Sequence, residues 1–323
     1  MRAAGAKGSN IHFPLSANGM DYLISVVDHL DGDPSPRDLK YAVLHLQAAT
    51  EVLLKACLII FDWRLVFTKP DEADERLYKR GDFNSCDMSQ TIKRLRDQGV
   101  SIPPEIKAAI TRLANHRNRL QHFGLTSTAI AIEAAAAEVL DFLLTFIHEQ
   151  LQPDLQGTEE AHVADGMELV RGRLHQIRTL VTTRMKRLRP ELQPYAAQTL
   201  KCPNCGQWAM IADAGEAQCR FCQTEWDPNT LPLAYMVDVL GNSWRAFRKG
   251  EPPADVCPEC WGETLVHGAF LADAPETPRS FCFGCSHAFD GLANCIRCGL
   301  PFQIGADGWP ICRTCRDEMT ARD

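Results

Sequence analysis

Twelve of the fourteen cysteines fall between residues 202 and 323, and they come as six C-x-x-C pairs. The pairs are Cys202/Cys205, Cys219/Cys222, Cys257/Cys260, Cys282/Cys285, Cys295/Cys298 and Cys312/Cys315. A C-x-x-C turn brings two sulfurs to one point, and two such turns complete the tetrahedral four-thiolate shell that Zn²⁺ prefers. Six pairs therefore predict three Zn²⁺ ions and a region that folds on metal more than on a large apolar core. Neighbouring knuckles are expected to pair: Cys202/Cys205 with Cys219/Cys222, Cys257/Cys260 with Cys282/Cys285, and Cys295/Cys298 with Cys312/Cys315. A second arrangement joins Cys282/Cys285 to Cys295/Cys298 and leaves Cys257/Cys260 to meet Cys312/Cys315. Full thiolate shells leave no open position for water, so these metals are read as structural. His267 and His287 are spare, and Trp208, Trp226, Trp261 and Trp309 are expected to lend apolar bulk to small domains. Disulfides are the alternative in an oxidising compartment. The spacing, and a first stretch without an apolar h-region, favour thiolates in a reducing cytoplasm.

Charge is distributed unevenly along the chain. Residues 1–150 carry 17 Lys and Arg against 19 Asp and Glu, whereas residues 201–323 carry 10 against 16, a formal charge of −6. Each Zn²⁺ held by four thiolates adds −2, which makes the cysteine-rich region more acidic still. That opposes general adhesion to nucleic acid and favours specific contacts or a protein partner. Between the two regions, Arg171, Arg173, Arg178, Arg184, Lys186, Arg187 and Arg189 form a basic helical stretch. It is either a contact for the RNA backbone or a solvated helix face. Apolar content of 45% and charged content of 23% are those of a globular chain. The most apolar stretches, Val52–Phe61 and Ala129–Ile147, contain Lys55, Glu133, Glu138 and Asp141, so neither reads as a membrane span.

Residues 16–150 repeat apolar side chains at helical spacing. Met20, Leu23, Ile24, Val27 and Leu30 mark a first helix. Ser35-Pro36-Arg37-Asp38 opens a second, with a serine cap ahead of a first-turn proline. Lys69–Cys86 is polar and predicts an exposed loop. Helices are expected over Ser89–Gln98, from Pro103-Pro104 through Ile106, Ile110, Leu113 and Leu120, and over Thr126–Leu151. Together these predict an all-α up-and-down helical bundle over 12–151, followed by small β zinc-ribbon modules. Residues 152–200 are read as a linker (152–165) and a basic amphipathic helix (Met167–Leu188). Ribbons are expected at 201–230, 253–291 and 292–323. A helical connector over 231–252 centres on Leu233–Phe247.

The helix from Pro104 ends in His116-Arg117-Asn118-Arg119-Leu120-Gln121-His122-Phe123-Gly124. Asn118 and His122 stand one turn apart on one face, and Arg117 lies near the stripe of Ile106, Ile110 and Leu113, which would steer it toward a packed surface. Arg offers a fixed fork to phosphate oxygens, and His exchanges a proton near neutral pH. The segment Arg117-Asn118-x-x-x-His122 resembles the R-x4-6-H signature of HEPN domains, in the RN-x3-H form of their ribonuclease members. Leu46-Gln-Ala-Ala-Thr-Glu51-Val-Leu-Leu-Lys55, Ser89-Gln-Thr-Ile-Lys-Arg-Leu and His122-Phe-Gly also look like HEPN sequence. The resemblance covers about residues 12–150.

That resemblance implies a metal-independent endoribonuclease acting on an RNA substrate, with a homodimer bringing two copies of Arg117 and His122 to one cleft. The implied reaction is attack of the ribose 2′-OH on the adjacent phosphate, with His122 as base or acid, Arg117 stabilising charge and Asn118 orienting groups. DNA lacks that hydroxyl. Family analogy further implies toxins or anti-phage defence effectors in which the ribbons target or sense. The other reading is a non-catalytic dimeric adaptor whose bundle and ribbons bind protein or nucleotide partners. In that reading His122 caps its helix, Arg117 is a structural donor, and Glu51 with Lys55 is an ordinary i,i+4 ion pair.

Overall fold

The computed structural model describes residues 14–124, 126–243, 254–305 and 307–320. The chain divides into two units, Met1–Thr183 and Arg184–Asp323. The first is helical. Its elements are α1 (Leu15–Leu30), α2 (Pro36–Phe61), α3 (Glu75–Arg80), α4 (Met88–Asp97), α5 (Pro104–His122), α6 (Ala129–Phe146) and α7 (Gly157–Arg171). A further helix, α8 (Arg178–Leu192), begins in the first unit and continues into the second.

Helix α2 is the centre of the helical unit because apolar residues surround it on most sides. Leu39, Val43, Leu46, Leu53, Leu54 and Leu58 are buried, and α1, α4, α5 and α6 all pack on it. Its start is the predicted one: the Ser35 side chain accepts from Asp38 N, Asp38 answers on the Ser35 backbone, and Pro36 holds the first turn. By length and hydropathy alone α2 could cross a membrane, with a mean hydropathy of 1.6 over its best stretch. Of that stretch 56% is buried inside the protein. Gly19 lets α1 lie close against α2, since a Cβ there would fall 2.6 Å from Leu53 Cγ. The ion pair expected on α2 is present, with Lys55 Nζ 2.6 Å from Glu51 and 3.0 Å from Ser85 Oγ.

Two expected loops are ordered structure. The segment 69–86 contains α3, and the rings of Trp63, Phe67, Tyr78 and Phe83 cluster beneath it, with Phe67 and Phe83 stacked at 4.2 Å. Arg94 of α4 adds hydrogen bonds to the carbonyls of Leu65, Phe67 and Thr68. Four rings and a half-buried arginine fork outweigh the polar composition that suggested a loop. The stretch 152–165, expected as a linker, supplies most of α7 instead. Val163, Gly166, Met167 and Val170 form a narrow buried stripe on an otherwise acidic helix, and α7 packs on α1. Gly166 permits this contact, because a Cβ there would meet Met20 Cε at 3.0 Å. The helix expected over Met167–Leu188 is consequently two: α7 ends at Arg171, a turn follows, and α8 runs on through Pro190 to Leu192.

The second unit carries three small antiparallel sheets. Strands β1 (Thr199–Lys201), β2 (Trp208–Asp213), β3 (Glu216–Cys219) and β4 (Glu225–Trp226) pair in sequence order. Strands β5 (Leu265–Leu271), β6 (Ala274–Cys282) and β7 (Ala288–Phe289) form the second sheet, and β8 (Leu292–Asn294) with β9 (Pro301–Gln303) the third. The connector is a short helix, α9 (Leu231–Ala234), continued by a wider turn over Tyr235–Val239. The expected Leu233–Phe247 helix is thus cut short at Leu240, where Gly241 takes φ 72°, and its part from residue 244 on lies outside the described residues. Buried Tyr235 ties this connector to β5, accepting from Phe270 N at 3.2 Å and resting on Phe283. The third module closes with helix α10 (Arg313–Thr320).

Candidate functional site

Each cysteine knuckle follows from its backbone. In four of the first five, the amide after the second cysteine turns back to the carbonyl of the first, as Gly206 N does to Cys202 O at 2.8 Å and Trp261 N to Cys257 O at 3.0 Å. The residue after the second cysteine has a positive φ in all five: Gly206, Gln223, Trp261, Ser286 and Gly299. Three of these are not glycine, a conformation costing about 1–2 kcal/mol each. The sixth knuckle keeps that bond, Arg316 N to Cys312 O at 3.0 Å, and differs in conformation, since Cys312 and Cys315 open α10 and Arg316 is helical.

The knuckles meet as neighbours. Three groups of four sulfurs form, Cys202/Cys205/Cys219/Cys222, Cys257/Cys260/Cys282/Cys285 and Cys295/Cys298/Cys312/Cys315, each with all ligand atoms within 4.8 Å of one another. The arrangement that joined Cys282/Cys285 to Cys295/Cys298 does not occur. A Zn–S bond of about 2.3 Å in a tetrahedron sets sulfurs about 3.8 Å apart. The measured separations are 3.7 Å for Cys202–Cys222 and Cys205–Cys219, 3.8 Å for Cys257–Cys285, 3.6 Å for Cys260–Cys282 and 3.8 Å for Cys298–Cys312. These match a metal shell and far exceed the roughly 2.05 Å of a disulfide. Donors aimed at the sulfurs complete the fit to thiolates. Asn204 Nδ2 lies 3.6 Å from Cys222 Sγ, Thr264 Oγ1 3.2 Å from Cys282 Sγ, and Cys312 N 3.3 Å from Cys295 Sγ. His267 bonds Asp255 and Ser280 instead, and His287 packs on Phe289. The two remaining cysteines, Cys57 and Cys86, are buried in the helical unit, where burial pushes the Cys57 thiol up to about 12, an inert group.

The Arg117-Asn118-x-x-x-His122 segment lies on the last turns of α5. The last buried residue of that helix is Leu113, so its final nine residues, 114 to 122, run beyond the packed core. Within that stretch Arg117 is more covered than Asn118 and Arg119. It is half-buried, and its Nη1 donates to Asn118 Oδ1 at 2.9 Å. Asn118 and His122 are exposed, and among the described residues His122 makes no side-chain hydrogen bond. Its ring lies 6.5 Å from that of Phe123, which is 95% exposed. Ile130, on the first turn of α6, is 79% exposed. An arginine fork, an amide and a free imidazole thus share a helix end with two large uncovered apolar side chains.

Sequence reasoning missed one functional arginine. Arg184 was grouped with the basic helix as a contact for RNA, yet it is 1% exposed. Its Nε donates to Phe221 O at 2.7 Å and its Nη2 to Arg220 O at 3.2 Å, both carbonyls lying inside the Cys219–Cys222 knuckle. The guanidinium also sits 5.9 Å from the Phe221 ring centroid. Sequence offered one signal: Leu180, Arg184 and Leu188 share a helix face, so the arginine points where its apolar neighbours point. Arg178, Lys186, Arg187 and Arg189 remain exposed. The tryptophans divide as well. Trp208 and Trp226 are half-buried as expected, but Trp261 and Trp309 are 65% and 52% exposed and lend no bulk to a core.

No family model, no curated protein and no solved structure matches this chain.

Proposed function

We propose that this protein is an endoribonuclease of the HEPN type, carrying three structural Zn²⁺ ions in its C-terminal ribbons. The observation that supports this best is the free end of α5. Arg117, Asn118 and His122 gather there beyond the packed core, beside Phe123 and Ile130, the two most exposed large apolar residues among the described ones. Covering such side chains favours association, at roughly 25 cal/mol for each Å² of apolar surface removed from water. A second copy of α5 packed over this end would set two His122 and two Arg117 side chains around one phosphate. One His122 would take the proton from the ribose 2′-OH, and the other would protonate the leaving 5′-oxygen. Arg117 would offer two donors to the phosphate oxygens as charge builds, and Asn118 holds it by the bond already present.

Purified protein incubated with RNA tests this. Cleavage should leave 2′,3′-cyclic phosphate ends, proceed during a brief exposure to chelator, and fall at least about a hundredfold in both His122→Ala and Arg117→Ala. His122→Ala should keep the melting temperature of the wild type, because its side chain is exposed, and Arg117→Ala, half-buried, should lower it only slightly. The adaptor reading has its own support in Trp261, Trp309 and Ile296, exposed on the second and third ribbons. Absence of cleavage by the wild-type dimer would favour it.

A further inference from the structure

The helical unit has a partly open cavity of about 220 Å³ between the turn after α1, the first half of α6 and the start of α8, with Asp33 and Arg178 exposed at its rim and Glu133 half-buried. It is smaller than the roughly 300–1,000 Å³ typical of pockets for drug-sized ligands, so its occupant is small. Buried Leu30, Ala137 and Ile177 contribute apolar surface to its lining. Three charged residues line it too: Asp33, Glu133 and Arg178. These charges do not pair with one another. Glu133 accepts a hydrogen bond from Thr179 Oγ1 at 2.8 Å, and among the described residues neither Arg178 nor Asp33 forms an ion pair.

We propose that this cavity binds a small zwitterion, an ammonium carboxylate bearing a short aliphatic chain. A guanidinium and two carboxylates around one space are opposed charges that ordinarily collapse into a salt bridge. Lining one pocket without pairing, they leave a positive and a negative group open to a ligand. A simple anion would meet Arg178 but also two carboxylates, and a simple cation would meet the reverse conflict. A zwitterion satisfies both groups, its carboxylate on Arg178 and its ammonium on Glu133 and Asp33. The Thr179 hydroxyl occupies one Glu133 oxygen and leaves the other available. The apolar lining selects an aliphatic substituent, for which dispersion and burial supply the remaining attraction. Its lining shares no residue with the α5 end, and the proposal does not depend on the ribonuclease reading.

Calorimetric titration of the full chain with L-alanine, L-valine and L-leucine tests the assignment. At least one of the three should bind saturably, and Arg178→Ala and Glu133→Gln should each weaken it by roughly tenfold or more, the loss of one charged hydrogen bond. Isovalerate, which lacks the ammonium, and isobutylamine, which lacks the carboxylate, should bind at least about tenfold more weakly than valine. The Glu133→Gln change keeps an acceptor for Thr179, so its melting temperature reports whether any loss of binding is a loss of fold. No binding of any of the three up to about 10 mM overturns the proposal. So does binding that both variants leave unchanged, or isovalerate binding as tightly as valine.

Discussion

The helical unit and the cysteine-rich unit differ in what fills their interiors. In the first, α2 is packed by neighbouring helices, and Leu23, Leu46, Leu53, Leu54, Leu58 and Leu95 are buried completely. In the second, the apolar filling is kept in the first two ribbons and nearly lost in the third. The first two ribbons still bury Phe221, Tyr235, Phe281 and Phe283. In the third, the buried apolar side chains among the described residues are Pro301 and two of its own ligands, Cys295 and Cys315, while Ile296, Leu300, Ile304, Trp309 and Met319 lie exposed. One chain thus grades from a fold held by burial to a fold held by metal. The difference teaches where each unit is fragile: the helices to a change of volume, the ribbons to loss of a ligand or of a donor that orients one.

Metal removal should separate the two most sharply. Structural Zn²⁺ contributes about 10–16 kcal/mol per site at neutral pH in small domains. Chelation should therefore unfold the third ribbon outright, while α1–α7 stay folded. Limited proteolysis would show cuts after residue 290 with the helical circular-dichroism signal largely kept. Loss of most of that signal together with the ribbons would break the comparison. Cys312→Ser should act locally in the same way, releasing one metal ion by mass spectrometry and leaving two.

Arg184→Ala comes next. It strips the carbonyls of Arg220 and Phe221 of buried donors, at about 1–3 kcal/mol for each group left unpaired. Its sharper signature is faster loss of metal from the Cys202/Cys205/Cys219/Cys222 shell than from the other two, read by a colorimetric chelator. Equal rates from all three shells would reduce Arg184 to general packing.

The smallest effects are a pair of glycine exchanges with opposite signs. Gly19→Ala puts a methyl 2.6 Å from Leu53 Cγ in the filled core, and should destabilise by about 1–3 kcal/mol despite the better helix propensity of alanine. Ser286→Gly removes a side chain held at φ 57°, whose buried hydroxyl has no partner, and should stabilise by about 1 kcal/mol. Denaturant midpoints of the two variants moving the same way would contradict the contrast between the units.

Much of the local architecture was legible in the residues themselves. The Ser35-Pro36 start, the Pro104 start and the pairing of neighbouring knuckles each depend on a few adjacent positions. The α7 helix was hidden because its buried stripe is only Val163, Met167 and Val170, with Gly166 between them, on a helix carrying Glu159, Glu160, Asp165 and Glu168. Composition averages over the whole surface of a helix, whereas packing needs one narrow face. The aromatic cluster around Phe67 was hidden for a related reason: Trp63, Phe67, Tyr78 and Phe83 follow neither helical nor strand spacing.

At the candidate sites, the sequence by itself determined which atoms are available: twelve sulfurs in six turns, and Arg117, Asn118 and His122 on one helix end. Those assignments hold because ligand spacing and helical phase are encoded within a turn or two. Only the tertiary structure decided how each group is used. It buried Arg184 against a knuckle and left Trp261 and Trp309 in water. It carried the end of α5 beyond the core, and set Asp33, Glu133 and Arg178 around one cavity. Exposure and charge pairing belong to the surface a residue meets, and that surface comes from parts of the chain far away in sequence.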